Sequence, residues 1–166
     1  MSLRIEPLGN RPRDGFCCGV DALDRYFQHQ VSQDIRRRLA ACYVILPSDL
    51  ERIGGFYTLS ACHLALPDLP DEISRKLPPY PAVSAVRIGR LAVDRGFRGQ
   101  GLGAAMLVDA ARRVIASDIA AFALVVDAKG EDAVAFYEHH GFSRLAAAGD
   151  TRTLFIVLKA IAARLR

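Results

Sequence analysis

Three glycines, each two residues from the next, follow a basic side chain in the stretch Arg98-Gly99-Gln100-Gly101-Leu102-Gly103. Glycine carries no Cβ, so such a stretch lets its backbone approach a ligand closely. The apolar spacing that begins at Leu102 predicts a helix, and the first N–H groups of a helix have no acceptor within it. These donors and the positive end of the helix dipole favour a phosphate group. The forked, permanent cation of Arg98 favours a binding turn over a purely structural one.

The same stretch also satisfies a second phosphate-binding pattern. Gly99, Gly101 and Ala104 fit the G-x-G-x-x-G/A spacing of dinucleotide-binding folds, and Asp127 follows at a plausible distance. In those folds the first glycine lies at a strand end near the start of a doubly wound domain. Here residues 94–98 intervene, about half of the chain comes first, and too little chain follows Asp127 for a second half. The surroundings therefore argue against a dinucleotide.

A second motif lies further along the chain, in Ala133-Val134-Ala135-Phe136-Tyr137-Glu138-His139-His140-Gly141-Phe142. Together with the preceding strand and Arg98-x-x-Gly101-x-Gly103, it resembles the GCN5-related N-acetyltransferase (GNAT) family, whose patterns are Q/R-x-x-G-x-G/A and A-x-x-F-Y-x-x-x-G-F. The resemblance implies an α/β protein with the acyl-CoA N-acyltransferase fold. That fold has a mixed, mostly antiparallel sheet with a central splayed parallel strand pair, flanked by helices.

The resemblance implies that acetyl-CoA is the co-substrate. It places the pantetheine arm on the backbone of Leu91 and Val93 and the pyrophosphate on the amides of the glycine turn. The implied binding residues are Leu91, Ala92, Val93, Arg98, Gly99, Gln100, Gly101, Leu102, Gly103, Ala104 and Phe136.

Tyr137 is the implied catalytic acid. A phenol with a pKa of about 10 keeps its proton at pH 7 and can supply it to the departing CoA sulfur. The alternative is that Phe136 and Tyr137 are simply core aromatics of an amphipathic helix.

The sequence offers no evident general base. Asp94, Asp127 and Glu131 lie near predicted strand ends, but each has an ordinary helix-cap or loop role available. An α-amino group, with a pKa of about 8, is partly neutral at pH 7, whereas a lysine amine at about 10.4 needs help to lose its proton. The lack of an evident general base therefore favours an α-amine as acceptor.

A narrower resemblance covers nearly the whole chain. Residues 18–27, 55–60, 89–94 and 126–129 are similar to the acetyltransferase toxins of bacterial type II toxin-antitoxin modules. This resemblance implies acetylation of the α-amino group of aminoacyl-tRNA, which blocks translation, together with a ribbon-helix-helix antitoxin and a homodimer. The cations that it makes candidates for contacting tRNA phosphates are Arg36, Arg37, Arg38, Arg75, Lys76, Arg87, Arg90 and Arg95. Acetylation of a small-molecule or protein amine, or a non-catalytic CoA-binding module, stays open as an alternative.

Composition limits the remaining classes. The net charge is +4, with 19 arginines and three lysines, which indicates either an anionic partner or a coding bias. The four cysteines and four histidines show no metal-ligand spacing, so we expect reduced thiols and no metal. No apolar run approaches 18 residues and no apolar signal core opens the chain, so we expect one cytoplasmic domain over residues 1–166 that does not enter a membrane.

Hydrophobic periodicity predicts the elements that position these motifs. Two predicted helices have specified faces: Val20, Leu23, Phe27 and Val31 share a face in the first, and Asp109, Arg112 and Arg113 point outward from the one that follows the glycine turn. The predicted strands cover residues 3–8, 42–46, 53–62, 83–93, 121–127, 142–145 and 151–158; the helices cover 21–30, 32–39, 102–115, 131–140 and 159–166, with a helical turn at 72–77.

Overall fold

A seven-stranded mixed sheet organises the computed structural model, which describes residues 3–47, 51–146 and 152–164. Its order is β1-β2-β3-β4-β5-β7-β6; β4 and β5 run parallel, and the pairs β1–β2, β2–β3, β5–β7 and β6–β7 are antiparallel. This confirms the predicted fold class. The strands are β1 (Arg4–Pro7), β2 (Ala41–Leu46), β3 (Gly55–Ala65), β4 (Ala82–Val93), β5 (Ala123–Asp127), β6 (Ser143–Arg144) and β7 (Thr153–Val157).

The described part of the chain contains six α-helices, of which the first five lie between strands and the last follows β7: α1 (Asp21–Arg25), α2 (Val31–Arg36), α3 (Asp71–Ser74), α4 (Leu102–Ala116), α5 (Glu131–His139) and α6 (Leu158–Arg164). The π-helical turn Tyr26–Gln30 joins α1 directly to α2, where the sequence predicted two ordinary helices. Short 3₁₀ turns cover Leu66–Asp68 and Arg95–Phe97. None of the described helices combines the length and apolar character needed to cross a lipid bilayer.

Contacts between residues divide the chain into two compact units. The first contains residues 1–60 and 89–110, and the second contains residues 61–88 and 111–166. Each unit has its own apolar cluster of buried side chains. The expectation of a single domain over residues 1–166 stays a prediction.

Aromatic side chains fill the centre of the first unit. The rings of Phe27 and Phe56 stack with their centroids 4.2 Å apart, and Phe16 meets both rings edge-on. Each fully buried phenylalanine contributes about 2 to 3 kcal/mol by removal of apolar surface from water. Val20, predicted to share the buried face of the first helix with Phe27, is instead 51% exposed because it lies outside α1, at its N-cap.

Helix α4 carries the predicted apolar face in the order expected from its periodicity. Leu102, Met106 and Ala110 are buried. The prediction that Asp109 points outward is wrong, because its carboxylate accepts a 2.5 Å hydrogen bond from the phenol of Tyr57 in β3. A tyrosine buried to this degree needs an acceptor for its hydroxyl, and Asp109 supplies one.

The second unit contains the parallel strand pair. Its register runs from Ala85 opposite Ala123 to Ile88 opposite Val126. Strand β4 continues beyond this ladder to Val93. His140 is the C-cap of α5, and Gly141 follows it in the left-handed conformation, at φ +96°, which ends the helix.

Gly55 tests how tightly the first unit is packed. A Cβ at this position would lie 2.7 Å from the Ala92 carbonyl oxygen and 2.9 Å from the terminal methyl carbon of Met106. Gly55→Ala should therefore destabilise the protein by about 1 to 3 kcal/mol, which urea unfolding would measure. The matched change Gly130→Ala has no atom within 4 Å of its Cβ and should cost less than about 1 kcal/mol. Equal effects of the two changes would contradict this account of the packing.

Candidate active site

The glycine turn connects the end of β4 to the start of α4. Gly99 and Gly101 adopt φ values of +77° and +76°, which favour glycine because a Cβ there meets the following carbonyl oxygen. The first α-helical hydrogen bond runs from the Ala105 N–H to the Gly101 carbonyl, at 3.1 Å. The N–H groups of residues 102–104 therefore have no acceptor within the helix.

The space before this turn is open. A Cβ built on Gly99 or on Gly101 would have no heavy atom within 4 Å beyond the adjacent residues. Open space, free first-turn amides and the positive end of a 15-residue helix are the features that a diphosphate requires. The turn therefore fits the pyrophosphate of acetyl-CoA.

A buried carboxylate holds the segment before the turn in place. Asp94 is 4% exposed, and its oxygens accept hydrogen bonds from the Gly96 N–H at 2.8 Å and the Cys17 N–H at 3.0 Å. Its own N–H donates to the Gly54 carbonyl, and the Arg95 N–H donates to the Cys17 carbonyl, both at 2.8 Å. These bonds tie residues 17, 54 and 94–96 to one another.

The predicted CoA-binding residues of the first unit surround this turn. Leu91 and Val93 are half-buried on one face of β4, and Ala92 faces the apolar cluster on the other. Gln100 is exposed and Ala104 is half-buried. The guanidinium of Arg98 donates to the Cys18 carbonyl at 2.6 Å, so this side chain is directed to the segment before α1. Their binding roles stay predictions.

Tyr137 lies in the second unit, on α5. Its side chain is 8% exposed, and its ring packs edge-on against Phe136 and Phe142, with centroids 5.2 and 5.5 Å away. Burial raises the pKa of the phenol to about 12. Within its unit the hydroxyl makes no hydrogen bond to a described residue. The ring is thus a core aromatic, and the phenol keeps its proton.

The three carboxylates near the predicted strand ends all have partners. Asp94 accepts the amide bonds described above. Asp127 pairs with the guanidinium of Arg87 and accepts a 2.8 Å bond from the Thr153 hydroxyl. Oε2 of Glu131 lies 3.5 Å from Nη2 of Arg144, within ion-pair distance. None of these three carboxylates is therefore unpartnered.

The first unit contains five of the cations predicted to contact tRNA. Arg36, Arg37 and Arg38 are exposed where α2 ends, and Arg38 adopts a left-handed φ of +60°. The guanidinium of Arg90 lies over the Tyr26 ring, 3.6 Å from its centroid. Arg95 is exposed beside Gly19. The sequence did not predict that Tyr26 lies under Arg90 or that Gly19 lies beside Arg95. The glycine that follows Cys18, just before α1, was the available signal for the second of these.

The second unit contains the other three cations predicted to contact tRNA. Arg75 donates through Nε to the Asp71 carbonyl at 3.2 Å, and Lys76 is exposed. Arg87 forms the ion pair with Asp127, so its charge is already matched. The phosphate-binding roles of all eight cations stay predictions.

The described residues offer little support for a reactive thiolate or for a metal site of cysteine and histidine. Burial raises the pKa of the Cys18 thiol to about 11 and that of Cys42 to about 12, so both stay protonated at neutral pH. Among the residues that the structure describes, no group of three or more histidine, cysteine, aspartate or glutamate side chains could hold a metal ion.

Comparison with known proteins assigns the family. The model of the acetyltransferase (GNAT) domain matches residues 82–153, a span that includes the glycine turn and Tyr137. A protein of Mycobacterium tuberculosis named tRNA-acetylating toxin is 33% identical over 129 residues, which cover 76% of this chain and 75% of that protein.

Solved structures agree with this assignment. AtaT complexed with acetyl-methionyl-tRNAfMet is 28% identical, with a TM-score of 0.89 over 99% of this chain and 100% of that one. A Tyr-to-Phe mutant of the AtaT toxin, bound to the C-terminus of the antitoxin AtaR and to acetyl-CoA, is 26% identical, with a TM-score of 0.81 over 98% of both chains. The chain therefore belongs to the GNAT family and is an N-acetyltransferase.

Proposed function

We propose that this protein transfers the acetyl group of acetyl-CoA to the α-amino group of an aminoacyl-tRNA and thereby blocks translation. The observation that carries the proposal is the open glycine turn at the start of α4, which fits a pyrophosphate. The activity named for the M. tuberculosis relative and the tRNA and acetyl-CoA complexes of AtaT support the choice of acceptor and donor. Charged tRNA is a cytoplasmic substrate, so the proposal places the protein in the cytoplasm.

Binding of the donor uses the backbone of the first unit. The amides of residues 98–104 hold the pyrophosphate, and the main chain of Leu91 and Val93 holds the pantetheine arm as an added strand would. Ala92 supports this segment from the apolar cluster, and Phe136 is the remaining proposed contact. Fixing the thioester in this way supplies most of the positioning that acyl transfer needs.

The chemical step exchanges one bond for another. The acceptor nitrogen attacks the thioester carbonyl carbon with its lone pair, so that a C–N bond forms and the C–S bond breaks. Tyr137 gives its proton to the departing sulfur, and the proton that the nitrogen loses restores the Tyr137 phenol, so that the products are the amide and the CoA thiol. Since burial raises the pKa of this phenol to about 12, Tyr137 holds its proton throughout the neutral range.

An α-amino acceptor suits a site in which the three carboxylates considered as bases already have partners. Its pKa of about 8 leaves part of the population neutral at pH 7, whereas a lysine side chain is almost wholly protonated. The hydrogen bonds and ion pairs that already engage Asp94, Asp127 and Glu131 agree with this choice.

The proposed partners follow from the acceptor. Cations at the surface contact the tRNA phosphates, and the exposed run Arg36, Arg37 and Arg38 is the densest candidate. A small ribbon-helix-helix antitoxin neutralises the protein, a proposal that the AtaR complex of AtaT supports. We further propose that residues 1–166 act as one GNAT domain within a homodimer.

Gly101→Glu tests donor binding. It places a carboxylate where the pyrophosphate binds, so calorimetry should detect no acetyl-CoA binding. Gly15→Glu is the matched control, because Gly15 has a similar φ of +82° and likewise no atom within 4 Å of its Cβ. Both variants bear the same left-handed strain of about 1 to 2 kcal/mol, but the control should bind acetyl-CoA like the wild type. A folded Gly101→Glu protein with unchanged affinity would remove the basis of the donor assignment.

The acceptor is tested with labelled acetyl-CoA and purified protein. Label should enter aminoacyl-tRNA but not uncharged tRNA, which lacks the α-amino group. Binding to tRNA should weaken steeply as salt rises, because bound cations release counterions from the phosphates. Expression of the protein should arrest growth. Labelling of free amines or protein lysines, but never of aminoacyl-tRNA, would replace this proposal with a small-molecule or protein acceptor.

Tyr137→Phe tests the proton donor. The ring packing is kept and the phenol bonds no described residue in its own unit, so stability should change little. Turnover should fall by about 10²- to 10⁴-fold while acetyl-CoA affinity is retained, and growth arrest should be relieved. Tyr80→Phe, at an exposed tyrosine, is the control and should keep full activity. A full kcat in Tyr137→Phe would assign the proton to water or to another group.

A further inference from the structure

Two guanidinium groups converge over Gly19. The position that a Cβ of Gly19 would occupy lies 2.8 Å from Nη2 of Arg98, 3.1 Å from Nε of Arg95 and 3.3 Å from Nη2 of Arg95. Gly19 has a φ of +93°, so its conformation favours glycine, and the missing Cβ leaves the room that these nitrogens occupy. The bond from Arg98 to the Cys18 carbonyl, at 2.6 Å, fixes one of the two groups.

The charge of this pair is not balanced by an ion pair. Across the described residues, neither Arg95 nor Arg98 has a carboxylate within salt-bridge distance, and both residues are exposed. Asp94 accepts from the Cys17 N–H and pairs with the Arg52 guanidinium at 3.4 Å, and Asp24 accepts from the Cys18 N–H. Two adjacent cations repel each other, and an anion that bridges them removes this repulsion. Forked N–H donors on two sides match the oxygens of a phosphate.

The guanidinium groups of this pair point away from Gly101 of the glycine turn, although the backbone of Arg98 belongs to that turn. Arg98 is not a chain neighbour of Gly101, and none of its atoms lies within 4 Å of the Cβ position of Gly101. The guanidinium groups instead face the segment that leads into α1 at Asp21. A pyrophosphate on the turn therefore leaves the paired guanidinium groups available for a different phosphate.

We propose that Arg95 and Arg98, brought together over Gly19, bind a backbone phosphate of the acceptor RNA. This inference rests on the proposed function, which supplies an RNA acceptor. The exposed position of Arg95 and Arg98 suits a polymer that lies on the surface. A phosphodiester carries one negative charge, which can lie between the two cations. Gly19 sets the spacing of the pair, and Arg98 thus serves the acceptor through its side chain.

Binding of uncharged tRNA to the full-length protein, without acetyl-CoA, tests the site. Arg95→Gln should weaken this binding about tenfold and reduce the slope of log affinity against log salt by about one. Arg112→Gln removes the same charge from an exposed position on α4 and should have a clearly smaller effect on both quantities. Calorimetric affinity for acetyl-CoA should stay at the wild-type value in both variants.

Gly19→Ala provides a second, independent variant. Its Cβ would displace the guanidinium groups, so tRNA binding should weaken although both arginines remain. Gly15→Ala bears the same left-handed strain with nothing within 4 Å of its Cβ, and should bind tRNA normally. Thermal unfolding of both variants checks that they fold equally well.

The outcomes separate this inference from the proposed function. Unchanged tRNA affinity and salt slope in Arg95→Gln and Gly19→Ala, in a protein whose wild type acetylates aminoacyl-tRNA, overturn the phosphate site alone. A loss of acetyl-CoA affinity with tRNA binding intact also overturns it, since the pair then serves a phosphate of CoA. A wild-type protein that never acetylates aminoacyl-tRNA overturns the proposed function instead.

Discussion

The carboxylate of Asp94 is the constraint on which the first unit depends. A buried charge is costly unless hydrogen bonds replace the water that it loses, and here main-chain N–H groups of Cys17 and Gly96 do so. Because the Cys17 donor comes from a distant segment and the Gly96 donor from the turn directly after β4, one carboxylate fixes both against the end of β4. The 3₁₀ turn that follows, Arg95–Phe97, is capped by the same side chain. The glycine turn begins directly after it, so the open backbone at Gly99 starts from a fixed point.

Local signals in the sequence were sufficient for most of the fold. The 12-residue strand β4 and helix α4 follow from apolar runs and helical spacing, and Gly141 ends α5 where its left-handed φ permits. The departures come from tertiary contacts that periodicity does not encode. Asp109 turns to Tyr57 because a buried hydroxyl needs an acceptor, and the π-helical turn Tyr26–Gln30 has no distinct sequence period.

In the candidate site, too, the sequence predicted the local backbone but not the direction of the long side chains. The sequence predicted a glycine turn before α4, and the positive φ values of Gly99 and Gly101 are ones that glycine adopts without steric cost. The direction of a long flexible side chain depends on its partners in space. Arg98 was expected at the pyrophosphate, but its guanidinium bonds the carbonyl of Cys18, far away in the sequence. Arg87 was expected to face tRNA, but it forms an ion pair with Asp127.

Burial of Tyr137 has opposing consequences for the catalytic role that we propose for it. Packing against Phe136 and Phe142 fixes the ring, which lowers the entropic cost of presenting a proton. The same burial raises the phenol pKa to about 12, well above the value of about 8.5 for an ordinary thiol, so transfer to a free thiolate is uphill. The acceptor nitrogen, however, must lose a proton as the sulfur gains one. In the proposed mechanism, the Tyr137 phenol regains a proton from the nitrogen as it releases one to the sulfur. It therefore never stays charged within its apolar surroundings, and this proton relay needs no separate carboxylate base.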